Sequence, residues 1–159
     1  MRSALSRLGG GILAAAALSV PLPGYACSIN LTSAGTLRPS DDNKTLGSEV
    51  KGNTPGTVTS ILSLLDGTAT IEVSSPTRIQ TPGGYNASAE TLQVAYNAAA
   101  VLGLFPGASQ SYTSSTTSFQ ATGVLAGLSF SITLHNRILN PNGFAPGTYT
   151  TRTVVTCHP

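Results

Sequence analysis

Apolar and polar residues alternate with a period of two along several short stretches of this chain. Ala69, Ile71 and Val73 stand against Thr70, Glu72 and Ser74; Leu92, Val94 and Tyr96 repeat the pattern; Leu128, Phe130, Ile132 and Leu134 stand against Ser129, Ser131, Thr133 and His135. Successive strand side chains point to opposite faces, so this pattern predicts strands with one buried and one wet side. The clearest pair, Thr57 to Leu65 and Thr68 to Ser74, is separated by Asp66-Gly67, a dipeptide that tolerates positive φ and so predicts a tight hairpin. Between the alternating runs lie Ser75-Pro76, Thr81-Pro82-Gly83-Gly84, Phe105-Pro106-Gly107, Asn140-Pro141-Asn142-Gly143 and Ala145-Pro146-Gly147, each a turn signal. No stretch sustains a helical period, and no internal repeat suggests a solenoid or propeller. Short strands punctuated in this way predict an all-β, antiparallel sandwich.

Three segments read less simply. Asn97 to Leu104 fits either one helical turn or a continuation of the strand before it, and Ser109 to Ser118 fits either a Ser/Thr-rich loop or an edge strand. Thr148 to Cys157 reads as the last strand, bringing Cys157 alongside the strand that starts at Cys27.

The first residues follow a different logic. Arg2 and Arg7, with no acid, precede an apolar run from Ile12 to Val20, which ends at Pro21 and Pro23. That order predicts a cleavable signal peptide over residues 1–26, with Gly24 and Ala26 flanking Tyr25 in the small-x-small pattern of a cleavage site. The run is far below the roughly 20 residues that span a bilayer, so no membrane span is expected. Cleavage after Ala26 leaves a single domain, residues 27–159, beginning at Cys27. A cysteine there could instead be a lipid acceptor, but Gly24 and Tyr25 stand where a lipoprotein signal has Leu and a small residue. The expected location is export to the periplasm, cell surface or medium.

Composition sharpens this. The chain has eight basic and six acidic residues, and Arg2 and Arg7 belong to the leader, so six face six in the mature domain and its net charge is zero. A neutral chain has no electrostatic footprint for a phosphate backbone or anionic lipid, which excludes nucleic acid as a partner. Cys27 and Cys157 lie at opposite ends of the mature chain, in a compartment where thiols are oxidised, and predict one disulfide. Closing so long a loop is worth about 5 kcal/mol in the chain-entropy account. A metal or redox pair is the alternative, but there is no C-x-x-C spacing.

The opening Cys27-Ser28-Ile29-Asn30-Leu31 and the closing run from Ala145-Pro146-Gly147-Thr148-Tyr149 through Thr150-Thr151-Arg152-Thr153-Val154-Val155-Thr156-Cys157 resemble the first and last strands of secreted pilin-like and spore-coat-protein-U-like domains. That resemblance implies an immunoglobulin-like β-sandwich and, as partners, other surface or appendage subunits. Pilins that polymerise by donating a strand carry a donor segment ahead of the first cysteine, and the predicted cleavage leaves none, so a self-contained sandwich is expected.

Chemistry-bearing motifs are sparse. His135 falls on a wet strand face and His158 is the penultimate residue. There is no Gly-x-Ser-x-Gly elbow, no phosphate loop and no zinc helix motif, so no catalytic or cofactor-binding residue is assigned and an enzyme is not expected. Asp41-Asp42-Asn43 offers oxygen donors for calcium without the spaced pattern of a calcium loop, and no metal site is assigned. Asn30, Asn43 and Asn86 head glycosylation sequons. Tyr85, Tyr96 and Tyr112 could line a sugar-binding surface, although Tyr96 alternates with core residues and is expected to be buried. The function expected is a non-enzymatic structural or adhesive surface protein. The alternative is a secreted carbohydrate- or ligand-binding module.

Overall fold

The computed structural model describes residues 26–63, 67–123 and 127–158. Among these there is no helix. The strands are β1 (Ala26–Ser33), β2 (Arg38–Pro39), β3 (Thr45–Gly47), β4 (Gly56–Ser63), β5 (Gly67–Val73), β6 (Thr77–Gln80), β7 (Thr91–Ala98), β8 (Ala108–Thr113), β9 (Thr117–Gly123), β10 (Leu128–Leu139), β11 (Thr150–Arg152) and β12 (Val155–His158). The predicted leader lies outside the described residues except for Ala26, which opens β1 opposite Ser63.

All strand pairs among the described residues are antiparallel, and the domain is the expected all-β sandwich, with its main core between a seven-stranded and a three-stranded sheet. The larger sheet runs β1-β4-β10-β7-β8, with β3 and β2 continuing on the β4 side along the second half of β10. The smaller sheet is β12-β5-β9, and β6 pairs with β11. Val58, Leu62, Phe130 and Ile132 from the larger sheet meet Ala69, Ile71, Val73 and Ala121 from the smaller one. Each fully buried aliphatic side chain there is worth about 2 kcal/mol in water exclusion. The far half of β10 covers a second core, in which Leu46, Ile138 and Phe144 pack with Tyr85, Leu92 and Tyr149.

One prediction fails in an informative way. The runs expected to form a hairpin around Asp66-Gly67 do not pair with each other. β4 pairs with β1 and β10, whereas β5 pairs with β9 and β12, so the connection crosses from one sheet to the other. Asp66 itself lies outside the described residues. The same crossing recurs between β9 and β10, which travel beside β5 and β4. Leu62 is paired with Leu128 on one side of the corner, and Gly67 with Gly123 on the other. Each strand buries one apolar face against the opposite sheet, and that burial outweighs the local preference of Asp-Gly for a tight turn.

The first and last strands meet at the same corner. β1 begins beside Ser63, and β12 runs back along β5 toward Thr70. Cys27 and Cys157 are joined there by a disulfide with Cα atoms 6.1 Å apart, linking edge strands of opposite sheets. The disulfide therefore completes the third lane of a three-lane bend that the peptide chain makes twice.

The three ambiguous segments also resolve. Asn97 and Ala98 end β7, after which Val101 and Phe105 bridge across a tight turn, so no helical turn forms. Ser109 to Thr113 lie in an edge strand, β8, and the rest of that segment turns into β9. The last run is not one strand: it divides into β11 against β6 and β12 against β5, with an irregular interval between them in which the Ser74 N–H donates to Val154 O and the Ser74 hydroxyl oxygen accepts the Val154 N–H, both at 2.9 Å.

Candidate functional site

The outer faces of both sheets are hydroxyl-rich. Thr59 of β4 faces Asn30 of β1 and Ser131 of β10, and its hydroxyl bonds that of Thr32 at 2.8 Å. On the smaller sheet the hydroxyls of Thr68 and Thr122 pair at 3.1 Å. Charge enters the larger face only near its β3 end.

There the structure assembles a group that the sequence does not join. Arg137 lies with its guanidinium carbon 3.7 Å from the centroid of Tyr112, and its Nε donates to Gln93 Oε1 at 2.8 Å. The Tyr112 hydroxyl donates to Glu49 Oε2 at 2.8 Å. Burial, and then the bond to Glu49, push the Tyr112 hydroxyl well above its ordinary range. His135 sits beside them, half-buried on the outer face predicted for it. Its Nδ1 is 3.4 Å from Ser48 Oγ and 3.8 Å from Glu49 Oε1.

Serine, histidine and glutamate in contact invite comparison with a nucleophilic triad. A working relay needs the hydroxyl on one imidazole nitrogen and the acid on the other. Here both approach Nδ1, and Ser48 is only 4% exposed. The cluster can orient side chains on the sheet face, but it lacks the geometry to activate a nucleophile. The other histidine, His158, is exposed at the end of β12, and its ring bonds the Thr156 hydroxyl.

The acidic turn at Asp41-Asp42-Asn43 is engaged internally. The Asp42 carboxylate accepts the Ser40 hydroxyl and, at 3.1 Å, the backbone N–H of Lys44. These bonds, the first foremost, hold its pKa below the ordinary value. Among the described residues no three His, Cys, Asp or Glu side chains gather into a metal-binding group.

A concavity lies at the end of the sandwich away from the disulfide corner. A hollow of about 530 Å³ is bordered by Pro39, Asn43, Phe144, Pro146, Thr148 and Tyr149. It adjoins a second of about 280 Å³ bordered by Gly84, Tyr85, Asn86, Asn142 and Gly143. The two share Asn43, Phe144 and Ala145. Three loops, each entering or leaving a strand beside the end of β10, build these walls.

The loops are locked together. Asn43, in the left-handed region at φ 56°, donates its amide to Phe144 O at 3.0 Å. The fully buried Asn140 donates to Asn86 O at 2.8 Å. Gly147, at φ +143°, lies so close to Pro82 that a β-carbon would sit 2.5 Å from that ring. Phe144 is 8% exposed and backs the cleft, stacked on Tyr85 with centroids 5.8 Å apart. Tyr149 meets both rings edge-on. The Tyr85 hydroxyl donates to Glu90 Oε2 at 2.7 Å, and Glu90 is paired with Arg78 at 2.7 Å. Burial, and then the Glu90 bond, push Tyr85 up to about 12.

The tyrosines singled out in the sequence thus part company. Tyr96 is buried at 5% exposure, Tyr112 lies on the sheet face and Tyr85 lines the cleft. Phe144 and Tyr149 were missed because they sit in irregular loops with no periodicity to mark them. The Pro and Gly turn signals around them were the available clue. Of the sequon asparagines, Asn30 is exposed on β1, whereas the Asn43 amide is occupied by the clasp to Phe144.

No protein-family model, no curated protein sequence and no solved structure corresponds to this chain.

Proposed function

We propose that this protein is an exported, non-enzymatic β-sandwich with a structural or adhesive role at a cell surface. The observation that carries this reading is the Cys27–Cys157 disulfide, which joins the first strand of the domain to its last. Such a bond persists where thiols are oxidised, in keeping with the leader-like pattern ahead of it. The sheet faces support the same reading, since their hydroxyls and amides carry little charge and can lie against a neighbour or a surface without placing ions in a dry interface. The best candidate for catalysis, around His135, has both of its partners on one nitrogen.

Cell fractionation with intact mass measured under non-reducing conditions tests the proposal. The expected product begins at Cys27, is lighter by two hydrogens than the reduced chain, and is recovered with sheared surface material or assemblies. A full-length reduced chain in the cytosol overturns export. Recovery solely as soluble monomer from the periplasm or medium overturns the structural role.

A further inference from the structure

The cleft at the end of β10 has a composition that selects among ligands. No charged side chain borders either hollow. A carboxylate, phosphate or ammonium bound there would lose water and find no opposite charge, a cost that favours neutral molecules. The walls instead alternate two kinds of surface. Tyr85 and Tyr149 are half-exposed rings backed by buried Phe144, and Pro39 and Pro146 add exposed saturated rings. Beside them, Asn142 and Thr148 have side-chain polar groups with no hydrogen-bond partner among the described residues. Flat C–H surfaces edged by hydroxyl groups are the chemistry that fits, since ring faces take the C–H side and amides and hydroxyls take the rest.

Size and rigidity narrow this further. The larger hollow falls within the range of small-molecule sites, and the smaller one is separated from it only by the Asn43–Phe144–Ala145 ridge. A ligand engaging both must be a chain of repeated units rather than one ring. The clasp of Asn43 on Phe144, the Asn140 bond to Asn86 and the contact of Gly147 with Pro82 hold the three loops in place before any ligand arrives. That lowers the ordering cost of binding. We infer that the cleft binds a neutral oligosaccharide of at least two sugar units across the ridge. The inference deepens the adhesive reading above by giving it a ligand class, and it rests on that reading only for its biological setting.

The test uses the purified disulfide-bonded domain in solution, so it is independent of where the protein resides. Amide spectra are titrated with cellopentaose, chitopentaose and mannopentaose, with the matching monosaccharides as controls. At least one pentasaccharide is expected to give saturable shifts at Asn43, Asn86, Asn142 and Tyr149, with its monosaccharide weaker by about tenfold or more. Tyr85→Ala should weaken that binding about tenfold, while Tyr85→Phe, which keeps the ring, stays within about twofold. Asn142→Ala, an exposed change that leaves the aromatic packing alone, should weaken it about fivefold. Tyr112→Ala should have no effect. The inference is overturned if all three sugars leave the cleft amides unmoved up to about 10 mM, a limit well above the range of weak specific binding. It is also overturned if the shifts map to the Tyr112 face, or if polygalacturonate occupies the cleft as tightly as the neutral chains. A positive titration alongside cytosolic fractionation would leave the site standing and remove the surface role.

Discussion

Single residues carry consequences that the strand pattern hides. Ser60 occupies an inward position of β4 between Val58 and Leu62, is fully buried, and its hydroxyl has no hydrogen-bond partner among the described residues. An unpaired buried hydroxyl is a net cost, so Ser60→Ala should raise unfolding stability by about 1 kcal/mol. A drop in the urea midpoint for that variant would show the hydroxyl to be satisfied. Tyr85 makes the opposite kind of statement. In the unfolded chain it ionises at 10.0, whereas in the fold it does so at about 12. Between those values the unfolded state loses the proton first, so stability is level below pH 10 and falls as pH rises toward 12. Tyr112 and Tyr149 shift in the same direction. Urea midpoints measured from about pH 8 to pH 12 should therefore decline, and Tyr85→Phe should flatten the decline without abolishing it. An unchanged slope in that variant would show that Tyr85 does not contribute to it.

At the scale of elements, β10 does the most. Its first half faces the smaller sheet through Leu128, Phe130 and Ile132, and its second half places Ile138 in the core beneath the cleft. The inward set was readable as far as Leu134, because the period of two is unbroken. Its continuation through Asn136 to Ile138 was not, because Asn136 stands inside that set. Asn136 is only half-buried and accepts the Thr153 hydroxyl at 2.8 Å, which lets the strand cross a polar interval between the two cores. Ile132→Ala, at a fully buried position paired on both edges, should cost about 3 kcal/mol. Equilibrium denaturation measures it, and a loss below about 1 kcal/mol would mean that the sheets close over the gap. The hairpin around Asp66-Gly67 was misread for a related reason. Turn chemistry at that point is compatible with either a hairpin or a corner, and only the distant partners β9 and β10 distinguish them.

For the whole molecule, the disulfide is the largest single constraint. It spans 130 positions, and its removal should cost about 5 kcal/mol, seen as a fall in Tm of roughly 15 °C for the Cys27→Ser, Cys157→Ser double variant. A fall of less than about 3 °C would mean that packing alone holds the corner. The sequence by itself determined the all-β class and the faces that are buried, Tyr96 among them, and it led to the expectation of the Cys27–Cys157 bond that the structure shows. The first two follow from alternation, and the third from the chain having two cysteines. Only the tertiary structure decided which strands are neighbours, and it made the Asp66-Gly67 connection a corner between sheets. It also brought Tyr85, Phe144 and Tyr149 to one cleft, and His135, Glu49 and Tyr112 to one face. The physical reason is that periodicity reports what a strand buries, a local property. Partnership and the shape of a loop-built cleft depend on residues as distant as Asn43 and Phe144, whose contact no local pattern encodes.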